Sequence, residues 1–252
     1  MNASATGMLP AAVLVHGVGL DRRMWDGVSR CLAGRQSCIA FDMPCHGKAP
    51  MPEGEVTLAT FADALADIVD GLDSAPVVVG FSMGAMVAQR FALDRPEALR
   101  GLVLMNAVFD RDEGQRGAIL QRLAAVERDG PAGMADSAIE RWFTEEFRKA
   151  SPELVEPIRR RLLANDPAAY LAAYRVFATA DAELAREAAC IACPTLAMTA
   201  EHDINSTHAM SHALARTIPD ARALVLDGLA HGAPIEAPEQ VAGAIFDFAA
   251  RL

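Results

Sequence analysis

No apolar run in this sequence reaches the roughly 20 residues needed to cross a bilayer; glycine, proline or a charge interrupts each one first. The first ten residues, Met1 to Pro10, carry no Lys or Arg and no extended apolar stretch, so they do not read as a secretory leader. Cysteines are few and odd in number. Cys31, Cys38, Cys45, Cys190 and Cys193 suggest no disulfide framework, and a reducing cytoplasm is their expected home. Positive charge is also in short supply. With 23 Lys and Arg against 33 Asp and Glu, the formal net charge is −10, which argues against the basic surface that nucleic acid requires. There is no Walker loop, no dinucleotide fingerprint, no internal repeat and no low-complexity tract, so no cofactor is expected.

What remains is a chain rich enough in apolar residues, at 52%, to bury one large core. Ala11–Val15, Ser37–Phe41, Val77–Gly80, Leu102–Met105, Thr195–Thr199 and Ala223–Leu226 are short and rich in Val, Leu and Ile, and lack strict alternation. They read as strands buried on both faces. Helical patterns lie between them: Leu58–Leu72, with Phe61, Leu65, Ile68, Val69 and Leu72 on one face, then Ser82–Leu93, and finally Pro238–Leu252. This alternation predicts an α/β protein with a doubly wound, mostly parallel sheet of about six strands.

The alternation stops between about Asp110 and Ala189. Apolar residues there recur at helical spacing: Ile119, Leu123 and Val126; Ile139, Trp142, Phe143 and Phe147; Leu154, Ile158 and Leu162. Pro152, Pro157 and Pro167 punctuate the stretch as prolines do at helix starts. We expect a helical cap over residues 110–189, inserted into a core built from residues 1–109 and 190–252. About half of the basic residues fall in the inserted stretch, as a solvated helix face or as an aid to attracting an anionic substrate.

The chemistry-bearing residues sit where strands end. Gly80-Phe81-Ser82-Met83-Gly84 follows the run Val77–Val79 and opens a helix. A serine at so sharp a turn needs small neighbours, and the turn lifts its hydroxyl out of the sheet towards the first helical N–H groups. A hydroxyl needs a base to become a nucleophile. His231 follows the last predicted strand and is the best-placed histidine, since catalytic groups of open α/β sheets collect at these strand ends. The acid that holds the base is expected from Glu201-His202-Asp203 after the preceding strand, with Asp203 preferred and Glu201 second. Asn106, one strand earlier, is not ionisable. His16-Gly17-Val18-Gly19 follows the first strand, and the N–H groups of Val18 and Met83 are the candidate oxyanion hole.

Other candidates are less specific. Trp142 and Phe143 suit either the interior of the cap or substrate contact. Arg141 and Arg175 suit either a surface role or a bidentate clamp on a substrate carboxylate. Cys190 and Cys193 form a C-x-x-C pair with no second pair to complete a zinc site, and read as small residues ahead of a strand. His208 and His212, four apart on a predicted helix, read as a wet helix face; no metal site is expected.

Taken in order, His16-Gly17-Val18-Gly19, Asp42-Met43-Pro44-Cys45-His46-Gly47, Gly80-Phe81-Ser82-Met83-Gly84, Asp203 and His231 resemble the α/β-hydrolase superfamily across the whole chain. Met24-Trp25-Asp26, Arg141-Trp142-Phe143-Thr144 and the run from Pro152 to Ile158 are similar to its 3-oxoadipate enol-lactonase-like branch. The resemblance implies a Ser82–His231–Asp203 triad hydrolysing a small ester or enol-lactone, often carboxylated, beneath a helical cap. It also implies an N-terminal β-hairpin, yet only ten residues precede the first strand, so we expect the hairpin to be missing and six parallel strands to remain. Cys45 stands where the branch usually has Gly, and Ala49 where Ser is common. The same triad would serve a carbon–carbon bond hydrolase of ring-cleavage products, a low-turnover ligand receptor, or an acyltransferase or perhydrolase. The expected partner is a small-molecule substrate, without nucleic acid or membrane; a homodimer is compatible with the sequence.

Overall fold

The computed structural model describes residues 9–252; Met1 to Met8, and with them most of the segment read as lacking a leader, lie outside the described residues. Six strands form one parallel sheet: β1 (Ala12–Val15), β2 (Cys38–Ala40), β3 (Val77–Phe81), β4 (Gly101–Met105), β5 (Thr195–Ala200) and β6 (Ala221–Leu226). Their spatial order is β2-β1-β3-β4-β5-β6, so the direction of winding reverses between β1 and β3, the switch point where α/β sheets place their ligands.

Residue alternation explains why the strands read as unbroken apolar runs. Val13, Val15, Val78, Leu102 and Leu104 point to one face and Leu14, Val77, Val79, Val103 and Met105 to the other, and all are buried. Helices α1 (Asp26–Leu32) and α12 (Pro238–Ala249) cover the second face with Val28, Leu32, Val241, Ile245 and Phe248. Helices α2 (Leu58–Asp70), α3 (Met83–Asp94) and α10 (His208–Thr217) cover the first. Between α10 and α12, β6 leads into the single turn α11 (Ala233–Glu236).

Six helices lie between β4 and β5: α4 (Glu113–Asp129), α5 (Ala135–Trp142), α6 (Glu145–Ala150), α7 (Pro152–Leu163), α8 (Pro167–Thr179) and α9 (Asp181–Glu187). They divide their apolar residues. Ile119, Val126, Tyr170 and Tyr174 join the cluster that contains α2 and α3, whereas Ala138, Ile139, Phe143, Val155 and Leu162 form a smaller core of their own. A buried ion pair, Arg111 to Asp181 at 2.8 Å, ties the start of this stretch to its end.

Two expectations about this stretch need correction. Pro152 and Pro167 begin helices, but Pro157 lies inside α7; it is exposed, so the carbonyl left without a donor there faces water. Leu154 is exposed as well, and the buried stripe of α7 runs through Val155 and Leu162 instead.

Candidate active site

Ser82 sits between β3 and α3 with φ 54° and ψ −115°, a left-handed backbone that an L-residue adopts only under constraint. The constraint is steric. A Cβ on Gly80 would collide with the backbone of Gly84 and Ala85, and one on Gly84 with the carbonyls of Val15 and His16. The Gly17 turn lies directly over this elbow, where an added Cβ would stand 3.0 Å from the Phe81 ring and 3.3 Å from Ser82 Cβ. The glycines expected to flank the nucleophile are therefore the residues that let three chain segments meet there. Met83 is the first residue of α3, so its N–H has no acceptor in the preceding turn.

Asp203 follows β5 and is buried. Its carboxylate accepts hydrogen bonds from His231 Nδ1 at 2.6 Å, from the side-chain amide of Asn106 at 2.7 Å, and from the backbone N–H groups of Asn205 and Ser206 at 2.9 and 3.0 Å. Burial alone would raise its pKa; the adjacent imidazole and these donors outweigh burial and hold the carboxyl below its ordinary range. A carboxylate only accepts, so the shared proton belongs to Nδ1, and Nε2 of the neutral ring is left free to take a proton from elsewhere. Glu201, the second choice for the acid, is exposed, and its carboxylate accepts from the Gly228 N–H at 2.8 Å.

Ser82 and His231 line the same cavity, although no direct hydrogen bond joins them in this structure. Such bonds commonly tighten only once substrate is bound. Phe81 and Trp142 flank the imidazole, with ring centroids 4.9 and 5.9 Å away. His16 and His46 do not line the cavity that holds Ser82. Burial drives His16 down to about 4 and His46 down to about 3. His16 instead works as a brace, its Nε2 accepting from the Met43 N–H at 3.0 Å.

The cavity over Ser82 is narrow, about 50 Å³, room for only a few water molecules. Val18, Trp142 and Arg141 line it. Two other candidates for substrate contact, each weighed against a packing or surface role, do not. Arg175 points outward from α8 and pairs with Glu127 at 2.8 Å on the surface. Phe143 is buried against Phe147 and Gly232, as packing behind the site rather than lining. In their place stand Arg122, Tyr170, Tyr174 and Asn205. A much larger cavity of about 1050 Å³, between the 42–51 loop and α7, touches no triad candidate.

Among the described residues no group of three His, Cys, Asp or Glu could hold a metal ion, and no helix is long and apolar enough to cross a membrane. Cys190 and Cys193 are both unbridged, the first exposed and the second buried.

A model described as the alpha/beta hydrolase family matches residues 12–244. The chain is 30% identical over 234 residues, covering 91% of itself and 86% of its relative, to an (E)-2-((N-methylformamido)methylene)succinate hydrolase of Acinetobacter baylyi. It is 25% identical to a 3-oxoadipate enol-lactonase 2 of the same organism, covering 91% and 85% of the two chains. Among solved structures, a malate-bound thermophilic esterase of Thermogutta terrifontis aligns with a TM-score of 0.86 at 30% identity, over 98% of this chain and 91% of that one.

Proposed function

The chain belongs to the alpha/beta hydrolase family, and on that premise we propose that it hydrolyses a small ester or enol-lactone through a Ser82 acyl-enzyme. The observation that carries this reading is the strained Ser82 elbow sharing one cavity with an imidazole whose Nδ1 is held by a buried carboxylate. His231 Nε2 takes the Ser82 proton as Oγ attacks the carbonyl carbon, and the oxyanion draws on the N–H groups of Val18 and Met83. His231 then returns the proton to the leaving alcohol or enol. Water, deprotonated by the same nitrogen, releases the acid and restores the serine. Residues 110–189 act as a cap over residues 1–109 and 190–252. A cytoplasmic setting suits five unbridged cysteines.

A second reading is hydrolysis of a carbon–carbon bond by the same three residues. It draws support from the similarity to the (E)-2-((N-methylformamido)methylene)succinate hydrolase, and product analysis on enol-lactones beside ring-cleavage compounds decides between them. The first test is steady-state hydrolysis of short p-nitrophenyl esters and lactones. Ser82→Ala should abolish turnover, Asp203→Asn should lower kcat by roughly 10³–10⁴-fold, and Glu201→Gln should leave it within about twofold. Turnover that survives Ser82→Ala refutes the mechanism; a large loss in Glu201→Gln moves the acid to Glu201.

A further inference from the structure

Strand β4 runs between the strands that lead to Ser82 and Asp203, and its carboxyl end touches both. The Met105 carbonyl accepts from the Ser82 N–H at 2.9 Å, and the Asn106 N–H donates to the Met198 carbonyl of β5 at 2.8 Å. There the chain takes a left-handed conformation at Asn106, φ 50°, a cost for any L-residue although asparagine bears it better than most. The side chain is fully buried. Its amide N–H donates to Asp203 Oδ2 at 2.7 Å, while its Oδ1 has no hydrogen-bond partner among the described residues. A buried oxygen without a donor is a second cost. Turning the amide over would not remove it, because that oxygen would then face a carboxylate. One residue thus carries two local costs, and its side chain makes a single hydrogen bond. Costs of this kind collect at working sites.

The Asp203 carboxylate shows what the bond does. Its Oδ1 accepts from the backbone N–H groups of Asn205 and Ser206, and its Oδ2 from His231 Nδ1 and the Asn106 amide. All four acceptor positions are filled. Without the amide, Oδ2 has only the imidazole to fix it. The amide and the imidazole also converge on one oxygen, so the positive end of the amide lies beside the ring and disfavours a second proton there. We infer that Asn106 is a positioning residue for the triad, which pins Asp203 Oδ2 in line with His231 Nδ1 and keeps the imidazole unprotonated, ready to accept from Ser82, to a lower pH than Asp203 alone would allow. This rests on the hydrolytic reading above and adds a fourth side chain to its machinery. Other groups also face the imidazole. Arg122, Arg141 and the Tyr170 and Tyr174 phenols line its cavity, and the Glu236 carboxylate holds the Ala230 N–H behind it. None of them is altered by a substitution at 106.

The test follows the His231 ring by NMR titration in wild type, Asn106→Gly, Asn106→Ala and Gln89→Leu, with its resonances identified by their absence in His231→Gln. Both Asn106 substitutions remove the amide, and glycine also accepts the left-handed backbone. Each should raise the titration midpoint by roughly 0.5–1 pH unit. The acid limb of kcat/KM on a p-nitrophenyl ester should move with it. The kcat should fall roughly tenfold, the loss of one hydrogen bond to a charged group, with KM within about twofold of wild type. Gln89 is a second buried amide, on α3, and donates to the Ala85 carbonyl of its own helix at 3.2 Å; Gln89→Leu should leave the midpoint unchanged. A midpoint that stays or falls in both Asn106 variants overturns the inference even where kcat drops, since lost packing then accounts for the drop. Failure of both variants to fold, read from thermal melts, assigns Asn106 to packing and overturns it too. The titration needs no turnover: if wild type hydrolyses no ester, a raised midpoint still supports the positioning role and only the hydrolytic reading fails.

Discussion

Lowering the pH should destabilise this protein well before its carboxylates titrate, and the buried pair His16 and His46 should be the cause. Their rings lie 5.0 Å apart in an edge-on arrangement. Each Nδ1 is satisfied by a backbone carbonyl, Gly17 for His16 and Pro44 for His46, both at 2.9 Å. Neither ring has a carboxylate bonded to it to stabilise a second proton, and protonating one would repel the other. The folded-state values of about 4 and about 3 lie below the unfolded value of 6.5. The unfolded chain therefore binds protons first, and this contribution to stability is complete above about pH 6.5 and is lost as the pH falls towards the folded values. At pH 5 each histidine should cost about 2 kcal/mol relative to neutral pH, or about 4 kcal/mol together. That is a large share of the ~5–15 kcal/mol of a typical domain. Urea unfolding at half-unit steps between pH 7.5 and 5 measures it, with His46→Asn beside wild type. Asparagine can keep the donor to the Pro44 carbonyl but cannot titrate in this range, so the pH slope of the variant should be shallower by about 1 kcal/mol per pH unit. Parallel slopes for the two proteins would refute the reasoning, because groups that do not interact with His46 cancel in the comparison.

Two further outcomes follow from backbone strain and buried charge. Ser82→Gly should be more stable than Ser82→Ala by roughly 0.5–1 kcal/mol, because glycine relieves the left-handed φ of 54° while losing more chain entropy on folding; equal thermal midpoints would show that the elbow stores no strain. Arg111→Met should destabilise by roughly 3–5 kcal/mol by stranding the buried Asp181, and Arg111→Met with Asp181→Leu should regain most of that, measured by denaturant midpoints; a double variant no more stable than the single one would contradict it.

The strands, and the loops that follow them, were legible because they are governed by local rules. Short apolar runs name strands buried on both faces, and the candidate residues Ser82, Asp203 and His231 lie just beyond the carboxyl ends of three of them, where the structure brings Asp203 to His231 and sets Ser82 and His231 on one cavity. Side-chain direction within the inserted helices was harder to read. Arg175 looked as suitable as Arg141, but it is one step beyond Tyr174 on α8 and so turns about 100° away from the face that Tyr170 and Tyr174 present inward. Arg122 could have been found by the same rule, since it shares the inner face of α4 with Ile119 and Val126. Asn106 was dismissed as unable to ionise, and its role is to donate. Its left-handed backbone, φ 50°, aims the amide at Asp203, and that aim cannot be read from a residue name.

The break between α5 and α6 was the least visible feature and joins the inserted helices to the His231 loop. Ile139, Trp142, Phe143 and Phe147 looked like one helical stripe, but the helix ends at Trp142 and Phe143 is extended, at φ −125° and ψ 143°. That break frees the Trp142 carbonyl to accept from the Gly232 N–H at 2.6 Å, next to His231. It sets Phe143 against Gly232, where no Cβ would fit, and presents the Thr144 hydroxyl to Glu236. The other oxygen of Glu236 accepts from the Ala230 N–H at 3.2 Å, on the opposite side of the histidine. The 230–232 loop is thus fastened to the 142–144 segment directly after His231 and, through Glu236, before it, while the imidazole is held at its far end by Asp203. The segment that carries Trp142 into the cavity over Ser82 is also one wall of the His231 socket. Substitutions at 142–144 therefore act on the position of His231 Nε2 as well as on pocket shape, and should change kcat and KM together.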